Sequence, residues 1–261
     1  MAKINGQPAG NFVWLELATT EQQAAKRFYS EMFGWTAQDF PMGPQSAYTM
    51  FSLGESLTGA AFTLSEPERA AGLQPHWQLY VAVDDADATA ERAKQLGASV
   101  VDAPFDVMTF GRMAVLQDPT GAFFSLWQAR DHKGIGVYGE NGALCWADLM
   151  TPDREKAKDF YGGLFGWKFT AGKDKDSGGY LHIMNGEHGI GGLPEPRTLP
   201  QGVPPHWMAY IQSPDCRAQS ARAEELGGRV LMPPTTIEGQ LTFSVVADPQ
   251  GAVFALFTPG R

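Results

Sequence analysis

Residues 14–35, WLELATTEQQAAKRFYSEMFGW, return at residues 146–167 as WADLMTPDREKAKDFYGGLFGW. Ten of these 22 aligned positions are identical, among them Phe28-Tyr29 with Phe160-Tyr161 and Phe33-Gly34-Trp35 with Phe165-Gly166-Trp167. A match of this length at one fixed offset marks an internal duplication, and the duplication decides the fold. Within the first copy, Phe12 to Leu17 alternates as a strand, with Phe12, Trp14 and Glu16 on one face and Val13, Leu15 and Leu17 on the other. Thr20 and Gln23 have the spacing of a capping box. Ala25, Phe28, Tyr29 and Met32 then recur at the spacing of an amphipathic helix that ends at Gly34.

Beyond this stretch both copies continue in the same order. Short strands are expected at 47–53 and 59–64, then a polar loop, SEPERAAGLQP, then an alternating strand at 76–83. Asp84-Asp85 opens a second helix that stops at Gly97. Strands at 99–101 and 112–116 follow, and Asp118-Pro119-Thr120-Gly121 is a type I turn into a last strand at 122–128. The second copy repeats this from Leu144 to Phe257, with Asp248-Pro249-Gln250-Gly251 as its turn. The segment between them holds Gly134, Gly136, Gly139 and Gly142 and breaks every period. The expected architecture is α+β: a first module at 11–129, a linker at 130–142 and a second module at 143–258, each built from βαβββ units twice over.

Composition narrows the function classes. Hydrophobic residues make up 43% of the 261 positions and charged residues 19%, as in a globular chain with a real core. The formal net charge of −9 argues against nucleic acid or an anionic membrane surface as partner, since both require a basic face. No stretch approaches the roughly 18 apolar residues of a spanning helix, and MAKINGQPAGN lacks the apolar core of a secretory signal. With Cys145 and Cys216 as the only cysteines there is no disulfide framework, so a reducing cytoplasm is the expected location. The chain is expected to work as a monomer or homodimer on a small-molecule ligand.

The pieces WLELATT…FYSEMFGW, HWQLYVAVDDADATAERAKQLGA and DPTGAFFSLWQ resemble the glyoxalase/bleomycin-resistance/extradiol-dioxygenase (vicinal oxygen chelate) superfamily, and both modules share the likeness. The resemblance implies paired βαβββ units curled into a cup that holds substrate and metal. It also implies a metal ligand at three positions per cup. These are occupied by Trp14, His76 and Ser125 in the first module and by Trp146, His206 and Ala255 in the second. One position of three is a ligand type in each cup, so no cofactor is expected, with a degenerate divalent-metal site as the alternative.

Candidate site residues follow from alternation, because positions i, i+2 and i+4 of a strand share a wall. In the first cup these are Trp14, Glu16, His76, Gln78, Tyr80 and Ser125, with Trp127 beside them. In the second they are Trp146, Asp148, His206, Met208, Tyr210 and Ala255. His76 and His206 suit proton transfer near neutral pH, and Glu16 and Asp148 are the acids that would pair with them. Trp77 and Trp207 point the other way, under the helices. Two functions are compatible with this pattern. One is a metal-independent pocket for a small, partly aromatic or apolar molecule. The other is a glyoxalase-like lyase or isomerase, or an oxygenase, using His plus acid.

Overall fold

A computed structural model of the protein describes residues 4–43, 46–172 and 179–260. In the first module the chain runs β1 (Phe12–Thr19), α1 (Gln22–Phe33), β2 (Thr36–Gly43), β3 (Ser46–Leu53) and β4 (Ser56–Thr63). A short α2 (Glu66–Ala70) leads to β5 (His76–Ala82), α3 (Ala86–Gln95), β6 (Ser99–Val107), β7 (Gly111–Gln117) and β8 (Phe123–Ala129). The second module repeats the pattern: β9 (Leu144–Met150), α4 (Arg154–Phe165), β10 (Lys168–Ala171), β11 (Leu181–Asn185) and β12 (His188–Leu193). It closes with β13 (His206–Gln212), α5 (Cys216–Glu225), β14 (Arg229–Ile237), β15 (Leu241–Ala247) and β16 (Val253–Pro259).

Each module is one mixed, cupped sheet of eight strands, and the two orders correspond strand for strand: β2-β3-β4-β1-β5-β8-β7-β6 and β10-β11-β12-β9-β13-β16-β15-β14. The two βαβββ units of a module meet where β1 pairs antiparallel with β5, and again where β9 pairs with β13. The local sequence explains most element ends. Gly34 and Gly166 stop α1 and α4 in the left-handed region, at φ 71° and 72°. Asp85, Asp153 and Asp215 cap α3, α4 and α5 by accepting from backbone N–H groups.

Four local expectations are corrected. Helix α1 has Glu21 at its N-cap with no side-chain cap, so the Thr20/Gln23 box does not form. The loop SEPERAAGLQP contains α2, where Ser65 and Glu68 close a capping box of their own. The edge strands β2 and β10 escape an alternation test; β2, for example, is exposed at every position. Finally, a register shift between Phe12 and Trp14 turns Phe12 out of the cup. Its ring packs instead on Trp167 and Trp207 of the second module, at centroid separations of 5.8 and 5.1 Å.

The convex faces of the two sheets meet, so one apolar core spans both modules. The contact is reciprocal. Trp77 Nε1 donates to the Tyr29 hydroxyl at 3.0 Å, and that hydroxyl donates across the interface to Asp248 at 3.1 Å. Trp207, Tyr161 and Asp118 repeat the relay in the opposite direction, at 2.9 and 2.9 Å. Trp35 and Trp167 likewise donate to backbone carbonyls across the junction, at Gly142 and Gly10. The intermodule segment is buried against the first module, with Ile135 and Val137 sealed and the Ile135 N–H bonded to Val13 O. Among the described residues no helix is long and apolar enough to cross a membrane.

Candidate functional site

With the convex faces occupied, the concave faces carry the side chains that alternation left over. In the first cup, β1 sets Glu16 opposite Gln78, Trp14 opposite Tyr80 and Ala18 opposite His76. Strand β4 places Ala60 beside Glu16, and β8 places Ser125 beside Tyr80 and Trp127 beside Ala82. Strand β3 adds Tyr48 and Met50.

These residues build a hydrogen-bonded floor around one carboxylate. Tyr48 Oη donates to Glu16 Oε1 at 2.5 Å and Tyr80 Oη to Oε2 at 2.6 Å. Trp14 Nε1 donates to the Tyr48 hydroxyl at 3.3 Å. Burial raises the Glu16 pKa, against the opposing pull of the two phenols and the charge of His76. Burial and the carboxylate together hold both phenols above their ordinary value, so they remain donors.

The second cup repeats this floor with different residues. Asp148 Oδ1 accepts from Tyr180 Oη at 2.6 Å and Trp146 Nε1 at 3.1 Å, while Oδ2 accepts from Tyr210 Oη at 2.8 Å. Trp146 Nε1 also reaches the Tyr180 hydroxyl at 2.7 Å. Burial pushes the Asp148 carboxyl up to about 6. Asp148 is 4% exposed, whereas Glu16 is only half-buried and opens to its cup.

Beneath Asp148 lies Gly192, its partner in the parallel β12–β9 pair, where the first cup has Ala60 beside Glu16. A Cβ on Gly192 would overlap the Tyr180 hydroxyl and lie 2.6 Å from Asp148 Oδ1. The shorter aspartate thus needs the glycine: Tyr180 must descend closer to the sheet to meet it. Glutamate reaches further and tolerates alanine.

The acid–histidine pairs expected from sequence do not form as hydrogen bonds. His76 Nδ1 lies 2.8 Å from Gln74 O and His206 Nδ1 2.9 Å from Pro204 O, which leaves Nε2 as the remaining ring nitrogen of each. Burial lowers the His206 pKa. Gln78 donates to Ser125 Oγ at 3.1 Å, and Trp127 donates to His132 O at 3.0 Å. The ring of His132, from the intermodule segment, stands edge-on to Trp14 at 4.5 Å, and burial lowers its pKa to about 4.

Tyr48, Tyr180 and Gly192 were not singled out by alternation. The signal that finds Tyr48 and Tyr180 is the offset itself, since they stand as far apart as Trp14 and Trp146. Two clefts lie outside the cups. One of about 250 Å³ is lined by Gln7, Asp84 and Lys133, and one of about 360 Å³ by Pro119, Lys156 and Phe160 between the modules. Of the site residues expected from sequence, Trp127 borders the smaller cleft and none lines the larger. Neither is lined by a histidine or tyrosine, so the cup floors remain the chemically equipped surfaces.

Two sheets of paired βαβββ units, each with polar groups converging on its concave face, define a tandem cup protein. The family model described as Glyoxalase/Bleomycin resistance protein/Dioxygenase superfamily matches residues 11–126 and 143–256, and the chain belongs to that superfamily. It is 38% identical over 261 residues to a Mycobacterium tuberculosis protein named "Putative glyoxylase CFP32", covering 99% of this chain and 98% of that protein. It is 33% identical over 266 residues to the Streptomyces peucetius "Anthracycline biosynthesis protein DnrV", covering 96% of this chain and 92% of that one. The fold is shared with the crystal structure of a Mn(II)-bound glyoxalase from Novosphingobium aromaticivorans, at TM-score 0.65 and 15% identity over 97% of this chain and 83% of that one.

The donor set does not fit a metal centre at the three positions the resemblance implies. Tryptophan and alanine offer no lone pair for coordination at Trp14, Trp146 and Ala255. Ser125 is fully buried with its hydroxyl engaged by Gln78. Among the described residues no group of three or more His, Cys, Asp or Glu could hold a metal ion.

Proposed function

We propose that the protein binds small, flat aromatic molecules in its cups, a hydroxylated one in the first, without the metal centre of its superfamily. The observation that carries this reading is the carboxylate clamped between two tyrosine hydroxyls on each cup floor, built once from Glu16 and once from Asp148. Two phenol donors satisfy each carboxylate without a cation, and the aromatic walls suit a planar ligand. At the first cup Glu16 is open enough to take a further hydrogen bond from a ligand hydroxyl. The name of the Streptomyces relatives, anthracycline biosynthesis protein, agrees with a planar aromatic ligand.

A second reading is an enzyme of the lyase, isomerase or oxygenase kind. The observation favouring it is that burial lifts both carboxyls toward neutrality, where a general acid or base works best. In the binding reading, 2-naphthol quenches tryptophan fluorescence with a micromolar to sub-millimolar Kd, and dialysis against EDTA leaves this unchanged. Glu16→Gln and Tyr80→Phe weaken it. No binding at millimolar 2-naphthol, or near-stoichiometric Fe, Mn, Ni or Zn by elemental analysis after dialysis, overturns the proposal.

A further inference from the structure

The two cups share a floor plan but differ wherever a ligand would touch them. In the first cup Glu16 is partly buried, less sealed than Asp148, and its neighbours on the wall are Met50, Ser52, Gln78 and Ser125. In the second cup Asp148 is sealed: its two oxygens take three donors, and Gly192 lets Tyr180 close over it. Met184, Met208 and Ala255 replace the polar wall at the positions of Ser52, Gln78 and Ser125, and Met208, Tyr210 and Ala255 form an apolar cluster separate from the main core.

One change runs against this loss of polarity. His182 stands where the first cup has Met50. It pairs with Gly192 in β11–β12, and Gly192 pairs with Asp148, so His182 shares their concave face. Its ring stands edge-on to Tyr180 at 5.3 Å and to Trp146 at 6.0 Å, and it is half-buried. No described hydrogen bond engages either of its nitrogens among the described residues. An imidazole held by two aromatic rings beside a sealed carboxylate, in an apolar wall, is a donor with nothing to donate to inside the protein.

We propose that the second cup is a separate ligand site of opposite polarity to the first, which takes a planar aromatic acid and holds its carboxylate through His182. The first cup presents an acceptor, Glu16, and selects ligands that donate. The second hides its acceptor and presents a donor, so it selects ligands that accept. Thioether side chains at Met184 and Met208 suit the aromatic body of such a ligand. Charge-assisted hydrogen bonds gain strength in a wall of low polarity, which compensates for the single anchoring contact. The proposal rests on the reading that the cups are ligand sites.

The test uses 2-naphthoate and 2-naphthol, which share a ring system and differ in the polar group, titrated at pH 6.0 into the full chain with the histidine ring signals followed by NMR. 2-Naphthoate is expected to shift the His182 signal with sub-millimolar affinity. His182→Met, which installs the first cup's own residue, should weaken it at least tenfold while leaving 2-naphthol within twofold. His182→Gln, which keeps a donor, should retain part of the affinity and serves as the reading if the methionine variant does not fold. Naphthoate affinity within twofold of wild type in both variants, or no naphthoate binding at 5 mM, overturns the proposal. Absence of 2-naphthol binding with naphthoate binding intact would instead refute the first-cup reading, so the two failures are distinguishable.

Discussion

Replacing Gly192 with alanine is the sharpest perturbation of the second cup. The added Cβ would occupy the space of the Tyr180 hydroxyl and lie 2.6 Å from Asp148 Oδ1, so Tyr180 must withdraw. Withdrawal breaks the 2.6 Å bond to Asp148 and the 2.7 Å bond from Trp146. The first involves a charged or partly charged acceptor and contributes about 1.5–3 kcal/mol, the second about 1 kcal/mol. Removing a glycine from a strand returns roughly 0.5–1 kcal/mol, which leaves a net destabilisation of about 2–3 kcal/mol. For a chain of this size that lowers Tm by roughly 5–10 °C. The measurement is thermal and urea unfolding of three variants: Gly192→Ala, Asp148→Glu, and the two combined. Asp148→Glu alone crowds a sealed site and costs roughly 1–3 kcal/mol. The double variant reproduces the Glu16/Ala60 pairing of the first cup, so its loss should fall well below the sum of the single losses. Strict additivity of the two losses, or a Gly192→Ala loss under about 0.5 kcal/mol, would refute the reasoning.

Three further outcomes follow from the same geometry. The Asp148 carboxyl, raised from 3.8 to about 6 by burial, favours the folded state when protonated, so its contribution is fully present below pH 3.8 and is lost as pH rises through about 6. Over that window urea stability should fall by up to roughly 3 kcal/mol, and Asp148→Asn should flatten the fall; an unchanged slope in the variant contradicts the assignment. Tyr29→Phe leaves Trp77 Nε1 and one Asp248 oxygen without the hydroxyl that joins them, so it should cost about 1–3 kcal/mol. Because the lost relay crosses the modules, unfolding should separate toward two transitions, and a single unshifted transition in calorimetry would count against the relay. His76→Ala removes a half-buried ring with one bond to Gln74 O, so ligand affinity should drop while Tm moves by only a few degrees; a large Tm loss with intact binding would make His76 structural.

What sequence could read here was whatever repeats or alternates. The duplicated Trp14–Trp35 stretch located both helices and both opening strands, and alternation put Trp77 on the convex side and Tyr80 on the concave one, as observed. Alternation failed at Phe12 because one register shift inverts the facing of a residue, and a shift leaves no mark in residue types. It was silent on β2, whose eight exposed positions carry no apolar period. The acid was legible, and so was one tyrosine beside it on the wall, Tyr80 or Tyr210, but the second donor was not. Glu16 and Asp148 stood out as carboxylates on a buried strand, and the nearest chemistry in sequence pointed to His76 and His206. The second donors, Tyr48 and Tyr180, arrive from β3 and just ahead of β11, a sequence distance of 32 residues in each case. No local pattern links them. Only carrying the repeat offset through residues outside the matched stretch would have paired them.

Two motifs inside the pieces that carry the family resemblance, the FYxxxFGW helix end and the DPxG turn, serve the interface and not the cups. Tyr29 of the first FYxxxFGW segment bonds Asp248 of the second DPxG turn, and Tyr161 of the second segment bonds Asp118 of the first turn. In each turn the same aspartate uses its other oxygen to accept three backbone N–H groups, from Thr120, Gly121 and Ala122 or from Gln250, Gly251 and Ala252. One carboxylate therefore shapes a hairpin and receives the partner module's helix at once. Neither half of the relay closes within one module, so these residues specify how the copies dock. Their agreement with the superfamily certifies architecture, while the chemistry is written on the opposite sheet face, where the two cups have already diverged at Glu16/Asp148, Met50/His182 and Ala60/Gly192. A fold held by one face and a ligand read by the other can change specificity without disturbing its docking. Substitutions confined to the concave positions should accordingly alter binding before they alter the intermodule relay.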